Sequence, residues 1–291
     1  MAEALALEKR AVRRSFEHAA PHYDEHAVLQ REVCARLLEH LDPMRLDPKR
    51  IVDLGCGTGA AFEALARRFA GAGIVGIDLA HAMLARASRR APWWKRALRI
   101  PAARLVCADA ERLPLAAASA QLVFSNLALQ WCRPEAAFAE AARVLDVGGL
   151  FLFSTFGPDT LRELREAFRA TDGEPHVHTF IDMHDLGDAL VHAGLADPVM
   201  EMDIVTLEYA TVEDVARDLK AIGAHNALER RPRGLAGRGA WRRMAERYES
   251  LRRDGALPAT YEVIYGHAWK VPARTLADGR QVIDFRPRGA P

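Results

Sequence analysis

The stretch Ile51-Val-Asp-Leu-Gly-Cys-Gly-Thr-Gly59 constrains this chain more than any other. Ile51 to Leu54 reads as a short buried strand, three glycines follow at alternate positions, and Ala60 to Phe69 reads as a helix. A strand that breaks into glycines and restarts as a helix leaves backbone N–H groups pointing into open space. Glycine suits such a turn because a Cβ would block the close approach of a ligand, and because such turns often require φ > 0. The pattern is G-x-G-x-G. It lacks the extra spacer of the dinucleotide fingerprint and the Lys-Ser/Thr pair of a P-loop.

Two acids sharpen the reading. Asp53 lies inside the strand, and Asp78 ends the next apolar run, nineteen residues after Gly59, where the acid of a mononucleotide half-fold accepts from ribose hydroxyls. An anion just before the glycines argues against a pyrophosphate and suits a cationic ligand with an amino group. Together these residues resemble the S-adenosylmethionine site of the class I, Rossmann-like methyltransferases. The resemblance implies S-adenosylmethionine as cosubstrate, held by Asp53, Gly55, Cys56, Gly57, Gly59, Asp78 and Leu79. Leu105-Val-Cys-Ala-Asp109 reads as a later strand ending in an acid. In the resembling family that acid reaches the adenine amino group, with the next backbone N–H, here Ala110, on the ring. Leu122-Val-Phe-Ser-Asn126 is a fourth strand. Ligands of open α/β sheets bind outside the carboxyl ends of the strands, so Asn126 points where a transferred methyl would sit.

Strand and helix alternate five times up to Leu150–Thr155, which implies a parallel sheet with helices on both faces. The expected fold is α/β and Rossmann-like, a mostly parallel seven-stranded sheet with an antiparallel edge strand from the late runs Met202–Tyr209 and Tyr261–Val271. Residues 1–45 read as an N-terminal helical lid, with a turn over Ser15–Asp24 and an amphipathic helix over Val28–Leu41. Tyr23 is the first choice for a ring against the methionine end of the cofactor. Residues 46–272 then form the methyltransferase domain with helical insertions after the fifth strand, and 273–291 read as a flexible tail.

Composition excludes several function classes. Net charge is +1, so no global field demands nucleic acid. No run of eighteen apolar residues exists, which argues against a membrane span, and Glu3 and Glu8 interrupt any secretory or mitochondrial leader pattern. The four cysteines (Cys34, Cys56, Cys107, Cys132) have no metal or redox spacing, so reduced thiols in a cytoplasmic protein without a metal are expected. No histidine stands out as a general base; His176, His178, His184, His225 and His267 are candidates by residue type only. An acceptor that is already an anion, such as a carboxylate, needs no base but does need a cation, and Arg162 and Arg165 are candidates to hold it.

The likeness extends beyond the glycine turn. Arg14-Ser-Phe-Glu-His-Ala-Ala-Pro-His-Tyr-Asp24 with Leu29-Gln30-Arg31, Ser125-Asn-Leu-Ala-Leu-Gln-Trp131, Ser154 to Leu161, and Asp218 to Asn226 resemble the malonyl-acyl-carrier-protein O-methyltransferases of biotin synthesis. That resemblance implies methyl esterification of the free malonyl carboxylate on acyl carrier protein, with malonyl-coenzyme A as a possible surrogate. The carrier is acidic, and the arginine-rich stretches 86–104 and 230–243 would suit its docking. A competing resemblance is to mitochondrial complex I assembly proteins, one of which is an arginine hydroxylase; Asp159–Leu164 and Pro258–Tyr261 carry it. A non-catalytic cofactor-binding scaffold is a third reading, which the full set of glycines and acids disfavours.

Overall fold

A computed structural model describes residues 8–90, 103–169, 171, 177, 179–223 and 238–272. The stretch 91–102, His176, His178, His225, Asn226 and the tail 273–291 lie outside the described residues.

Helices α1 (Lys9–Ala19), α2 (Tyr23–His26) and α3 (Val28–Glu39) come first. α1 runs on through Ser15–His18, and the chain turns only at Ala20–His22, ahead of and after Pro21. β1 (Arg50–Leu54), α4 (Phe62–Arg68), β2 (Gly73–Asp78), α5 (His81–Ala87), β3 (Arg104–Cys107) and β4 (Ala120–Asn126) follow. α6 (Pro134–Val144) starts with proline at its first turn, where the missing N–H costs nothing. β5 (Leu145–Phe156) begins directly at the end of α6 and takes in Val147-Gly148-Gly149. The second half adds α7 (Arg162–Arg169), α8 (Met183–His192), β6 (Leu195–Tyr209), α9 (Val212–Ala221), α10 (Arg238–Glu249) and β7 (Leu257–Lys270).

The seven strands form one sheet in the order β3-β2-β1-β4-β5-β7-β6. β1 to β5 pair in parallel, and β7 runs antiparallel to both β5 and β6. The reversed strand is thus one place in from the edge, inserted between β5 and the long β6. The sheet reverses its winding between β1 and β4, and the crevice at their carboxyl ends is where open α/β sheets take ligands.

Two apolar layers sandwich the sheet. One holds Leu29, Val33, Leu37 and Leu41 from α3 and the following turn, with Phe62 and Leu65 from α4. The other holds Ala137, Phe138 and Ala141 from α6, with Leu186 and Leu190 from α8. Full burial of each Leu or Phe side chain is worth about 1.5–3 kcal/mol. α3 is therefore built into the main core, and only α1 and α2 lie across the mouth of the crevice.

The loop before α7 is stitched to β7. Leu161 N donates to Thr260 O at 2.6 Å. Buried Glu163 accepts from Thr260 N at 3.1 Å and from Thr260 Oγ1 at 2.5 Å. Glu163→Ala would strand both donors, which should cost about 2–4 kcal/mol. A melting midpoint lower by roughly 5–10 °C is the expected result, and a shift under about 2 °C would rule this role out.

Candidate active site

The glycine turn is built as its residue types require. Gly55 N and Cys56 N both donate to Ile77 O, at 2.8 and 2.9 Å, which ties the turn to the end of β2. Gly55, Gly57 and Gly59 have φ of +73°, +52° and +80°. A Cβ on Gly55 would lie 2.2 Å from Ala128 Cβ, and one on Gly59 would lie 2.5 Å from the Phe62 ring. A Cβ on Gly57 would meet nothing within 4 Å. Gly57 thus faces open space: two glycines are dictated by the protein's own packing, and the third leaves room for something else.

Asp78 closes the turn from the other side. Its Oδ2 accepts from Gly57 N at 2.9 Å and its Oδ1 from Ala80 N at 2.8 Å. Burial lifts its pKa to about 6, against the pull of these backbone donors. Asp53 is more extreme. It is 2% exposed, and burial, with the charge of Asp78 second, pushes its pKa to about 8. No hydrogen bond among the described residues offsets that rise. A buried acid without a partner is expensive, so this carboxylate awaits a cation from outside the chain.

Two adjoining cavities occupy the crevice. The first spans about 660 Å³ with its open mouth included. Gly55, Gly57, Asp78, Leu79, Asp109, Ala110 and Asn126 line it, all expected from the sequence, together with Tyr23. The second, about 460 Å³, is lined by Asp53, Cys56, Thr58, Gln30, Arg31 and Cys34 among others. They share Tyr23, Gly55, Gly57 and Asn126 as a common wall. Gly59 lines neither; its role is the turn. Buried Gln30 Oε1 has no hydrogen-bond partner, so a second acceptor beside Asp53 awaits a donor. The donor set fits an adenosyl group with an ammonium-bearing tail: acids at the ends of β2 and β3, an open glycine between them, then Asp53 and Gln30.

Asn126 is held from both sides. Its Nδ2 donates to Gln30 O at 3.0 Å, and its Oδ1 accepts from Ser154 Oγ at 2.9 Å. Tyr23 is partly buried, and desolvation beside Asp78 and Asp24 pushes its hydroxyl pKa well up, so it stays neutral. Burial likewise raises the Cys56 thiol far above its ordinary range, so it packs rather than reacts.

The two arginines of α7 are engaged elsewhere. Arg165 donates to Pro158 O and Thr160 O at 2.7 and 2.8 Å, and half-exposed Arg162 pairs with Glu163 and Asp159. Neither lines either of these two cavities, whereas Arg31 lines the second. His184 is exposed on Asp182, and His267 sits in β7, where burial lowers its pKa; neither lines these two cavities.

Several lining residues were not foreseen. Lys9, Val12 and Phe16 project from α1 into the first cavity, where Phe16 meets Trp131 edge-on at 5.5 Å, and Met83 and Cys132 complete the wall. The spacing of Lys9, Val12 and Phe16, three then four residues apart, was a readable helical stripe. α1 and α2 are also fastened down. Glu17 accepts from His81 N and Ala82 N at 2.8 and 3.0 Å, which caps the start of α5 from another helix. Asp24 Oδ1 accepts from Thr58 Oγ1 at 2.6 Å and from Arg90 Nη2 at 2.9 Å. Among the described residues no group of three metal-ligating side chains is brought together, and no helix is long and apolar enough to cross a membrane.

Comparison with known proteins agrees with this geometry. A family described as "Methyltransferase domain" matches residues 52–153. A protein of Laribacter hongkongensis is 54% identical over 294 residues, covering 99% of this chain and 99% of its own. One of Gallionella capsiferriformans is 51% identical over 278 residues, covering 95% and 96%. Both are named malonyl-[acyl-carrier protein] O-methyltransferase. Among solved structures, the Bacillus YcgJ protein superposes with a TM-score of 0.58 at 15% identity, over 83% of this chain and 99% of its own. A Haemonchus contortus phosphoethanolamine N-methyltransferase bound to S-adenosyl-L-methionine gives 0.55 at 17%, over 88% and 57%. The structural neighbours speak for the fold alone, and the full-length relatives decide the family: the chain belongs to the malonyl-[acyl-carrier protein] O-methyltransferases.

Proposed function

We propose that this protein transfers the methyl group of S-adenosylmethionine to the free carboxylate of malonyl-acyl carrier protein, in the cytoplasm. The observation that carries the reading is the pair of adjoining cavities that meet at Tyr23, Gly55, Gly57 and Asn126, with no histidine among the described residues of either wall. In this reading Asp78 serves the ribose, Asp109 and the Ala110 N–H the adenine, and Asp53 with Gln30 the ammonium. An acceptor that needs no base fits such a site. A carboxylate oxygen supplies the electron pair, the O–CH3 bond forms as the S–CH3 bond breaks, the sulfonium leaves as a thioether, and no proton moves. The chain then has only to align the partners and exclude water, which can supply up to about 7–11 kcal/mol. Asn126, braced by Ser154 and the Gln30 carbonyl, and Tyr23, which covers the junction, are the positioning groups.

The acceptor carboxylate needs a cation once it leaves water. Arg31 is the arginine that lines the second cavity, and its Nη1 already donates to Asp24 O at 2.5 Å. It joins Arg162 and Arg165 as a candidate and has the better position. Docking of the acidic carrier on the arginine-rich stretches remains part of this reading. Of these, 91–102 and 230–237 lie outside the described residues, while Arg90 is turned inward onto Thr58 and Asp24.

The test is transfer of labelled methyl from S-adenosylmethionine to malonyl-acyl carrier protein and, in parallel, to malonyl-coenzyme A. The expected product is a base-labile ester on the malonyl group, with the carrier-bound substrate preferred. No label on either, with cofactor binding intact, would overturn the acceptor and favour another acceptor or the hydroxylase-like chemistry.

A further inference from the structure

We infer that Lys9, the first residue of α1, positions Asp109 and thereby sets the enzyme's discrimination for adenine over other purines in its cofactor. The inference rests on the cofactor reading above.

The geometry is a chain of alternating charges at one end of the first cavity. Lys9 Nζ lies 2.9 Å from Asp109 Oδ1 and 2.7 Å from Glu111 Oε1, and Arg133 Nε lies 2.9 Å from Glu111 Oε2. Lys9 lines the cavity beside Asp109, Ala110 and Cys132. A lysine ammonium has three donors. Two are spent on these carboxylates. Lys9 therefore acts chiefly through the groups it holds.

What it holds is specific. Asp109 Oδ1 accepts from Lys9 and also from Glu111 N at 3.1 Å. That oxygen is engaged twice by the protein, the other has no hydrogen bond among the described residues, and the side chain lines the cavity. A fixed carboxylate acceptor there can take a hydrogen bond from the exocyclic amino group of adenine. It would repel the carbonyl oxygen that hypoxanthine presents at the same position. Discrimination of this kind comes from leaving a buried polar group unpaired, and it is far larger than a size difference can give.

Without Lys9 the arrangement loses its fixity. Glu111 has a side chain only 10% exposed and shares Lys9 with Asp109, so removing Lys9 leaves two neighbouring carboxylates with Arg133 as the cation remaining on Glu111. The like charges then repel, and Asp109 gains by turning away. A rotated Asp109 accepts from adenine poorly and tolerates an oxygen better. Glu111 is held ionised despite its burial because the hydrogen bonds from Lys9 and Arg133 outweigh the desolvation.

The experiment compares S-adenosylhomocysteine with its 6-oxo analogue, S-inosylhomocysteine, by titration calorimetry on the full chain, for the parent protein, Lys9→Met and Lys9→Arg. The parent protein should prefer the adenosyl ligand by at least tenfold. Lys9→Met should bring that ratio to about threefold or less, chiefly by weakening the adenosyl ligand, and Lys9→Arg should restore most of it. Equal weakening of both ligands in Lys9→Met would mean that Lys9 merely holds α1 in place, and the inference would be lost. An unchanged ratio would also sink it. Failure of the parent protein to bind either ligand would instead strike the cofactor reading itself. A thermal melt of each empty variant checks that the fold is kept.

Discussion

Asp53→Asn should melt above the parent protein and yet bind S-adenosylmethionine at least about 30-fold more weakly. The two effects share one cause. In the empty protein Asp53 has a pKa of about 8, against about 3.9 in an unfolded chain. A carboxyl raised in the folded state binds its proton more tightly there, so its contribution to stability is full below pH 4 and is lost as pH rises through about 8. At pH 7 most of that loss has occurred, on the order of 3–4 kcal/mol at most. Asparagine carries no such penalty, though its amide has its own burial cost. A net gain of about 2 kcal/mol, or roughly 5 °C in the melting midpoint, is expected at pH 7, shrinking toward pH 5. The filled site inverts the balance. The ammonium of the cofactor would find an ionised Asp53, and losing that charge-assisted bond should cost about 2–3 kcal/mol. Binding to the parent protein at pH 7 should also expel close to one proton, read by calorimetry in two buffers of different ionisation enthalpy. A variant that melts lower and binds as before would refute the assignment.

Gly55→Ala and Gly57→Ala, two residues apart in one turn, should fail in different ways. Both carry positive φ, which costs an alanine about 1–2 kcal/mol. At Gly55 the added methyl would lie 2.2 Å from Ala128 Cβ, and both atoms hang directly on backbone. The turn or the chain after β4 must shift, so a loss of about 3 kcal/mol or more, with poor soluble yield, is expected. At Gly57 nothing lies within 4 Å, so the fold should survive with a loss of about 1–2 kcal/mol. There the methyl would stand in the cavity instead, and cofactor affinity should fall tenfold or more. Melting curves and calorimetry on the two variants read the contrast; the reverse ranking would contradict the geometry.

The residues that the sequence revealed are those whose chemistry is local. The strand, the glycines and the acids Asp53, Asp78 and Asp109 declare themselves because each acid sits in or at the end of an apolar run, and parallel strands bring those ends together. The order of the sheet at its far side was less legible. β6 and β7 both read as strands, yet nothing in their alternation says that β7 slips between β5 and β6. Residues 1–20 read as helical, yet the aromatic residues on either side of Pro21 put the start of the turn at Ser15, while the helix continues to Ala19. Lys9 with Asp109, 100 residues away, and Asp24 with Arg90, 66 away, are pairings that no local pattern encodes. Arg162 and Arg165 illustrate the converse: residue type marked them as carboxylate binders, while the structure turns them to the carbonyls and acids of their own loop and helix, away from the two cavities.

Thr58 belongs to the glycine turn, and its hydroxyl holds Asp24 of the helix that covers the crevice. The floor of the site and its cover are thus one hydrogen-bonded unit rather than two parts that meet. Any movement of α2 away from the crevice would have to break this bond. Were ligand binding to favour the bonded arrangement, linkage would require the bonded arrangement to favour binding by the same factor. A change in α2 that weakens the bond would then be felt as weaker affinity at a turn it does not alter.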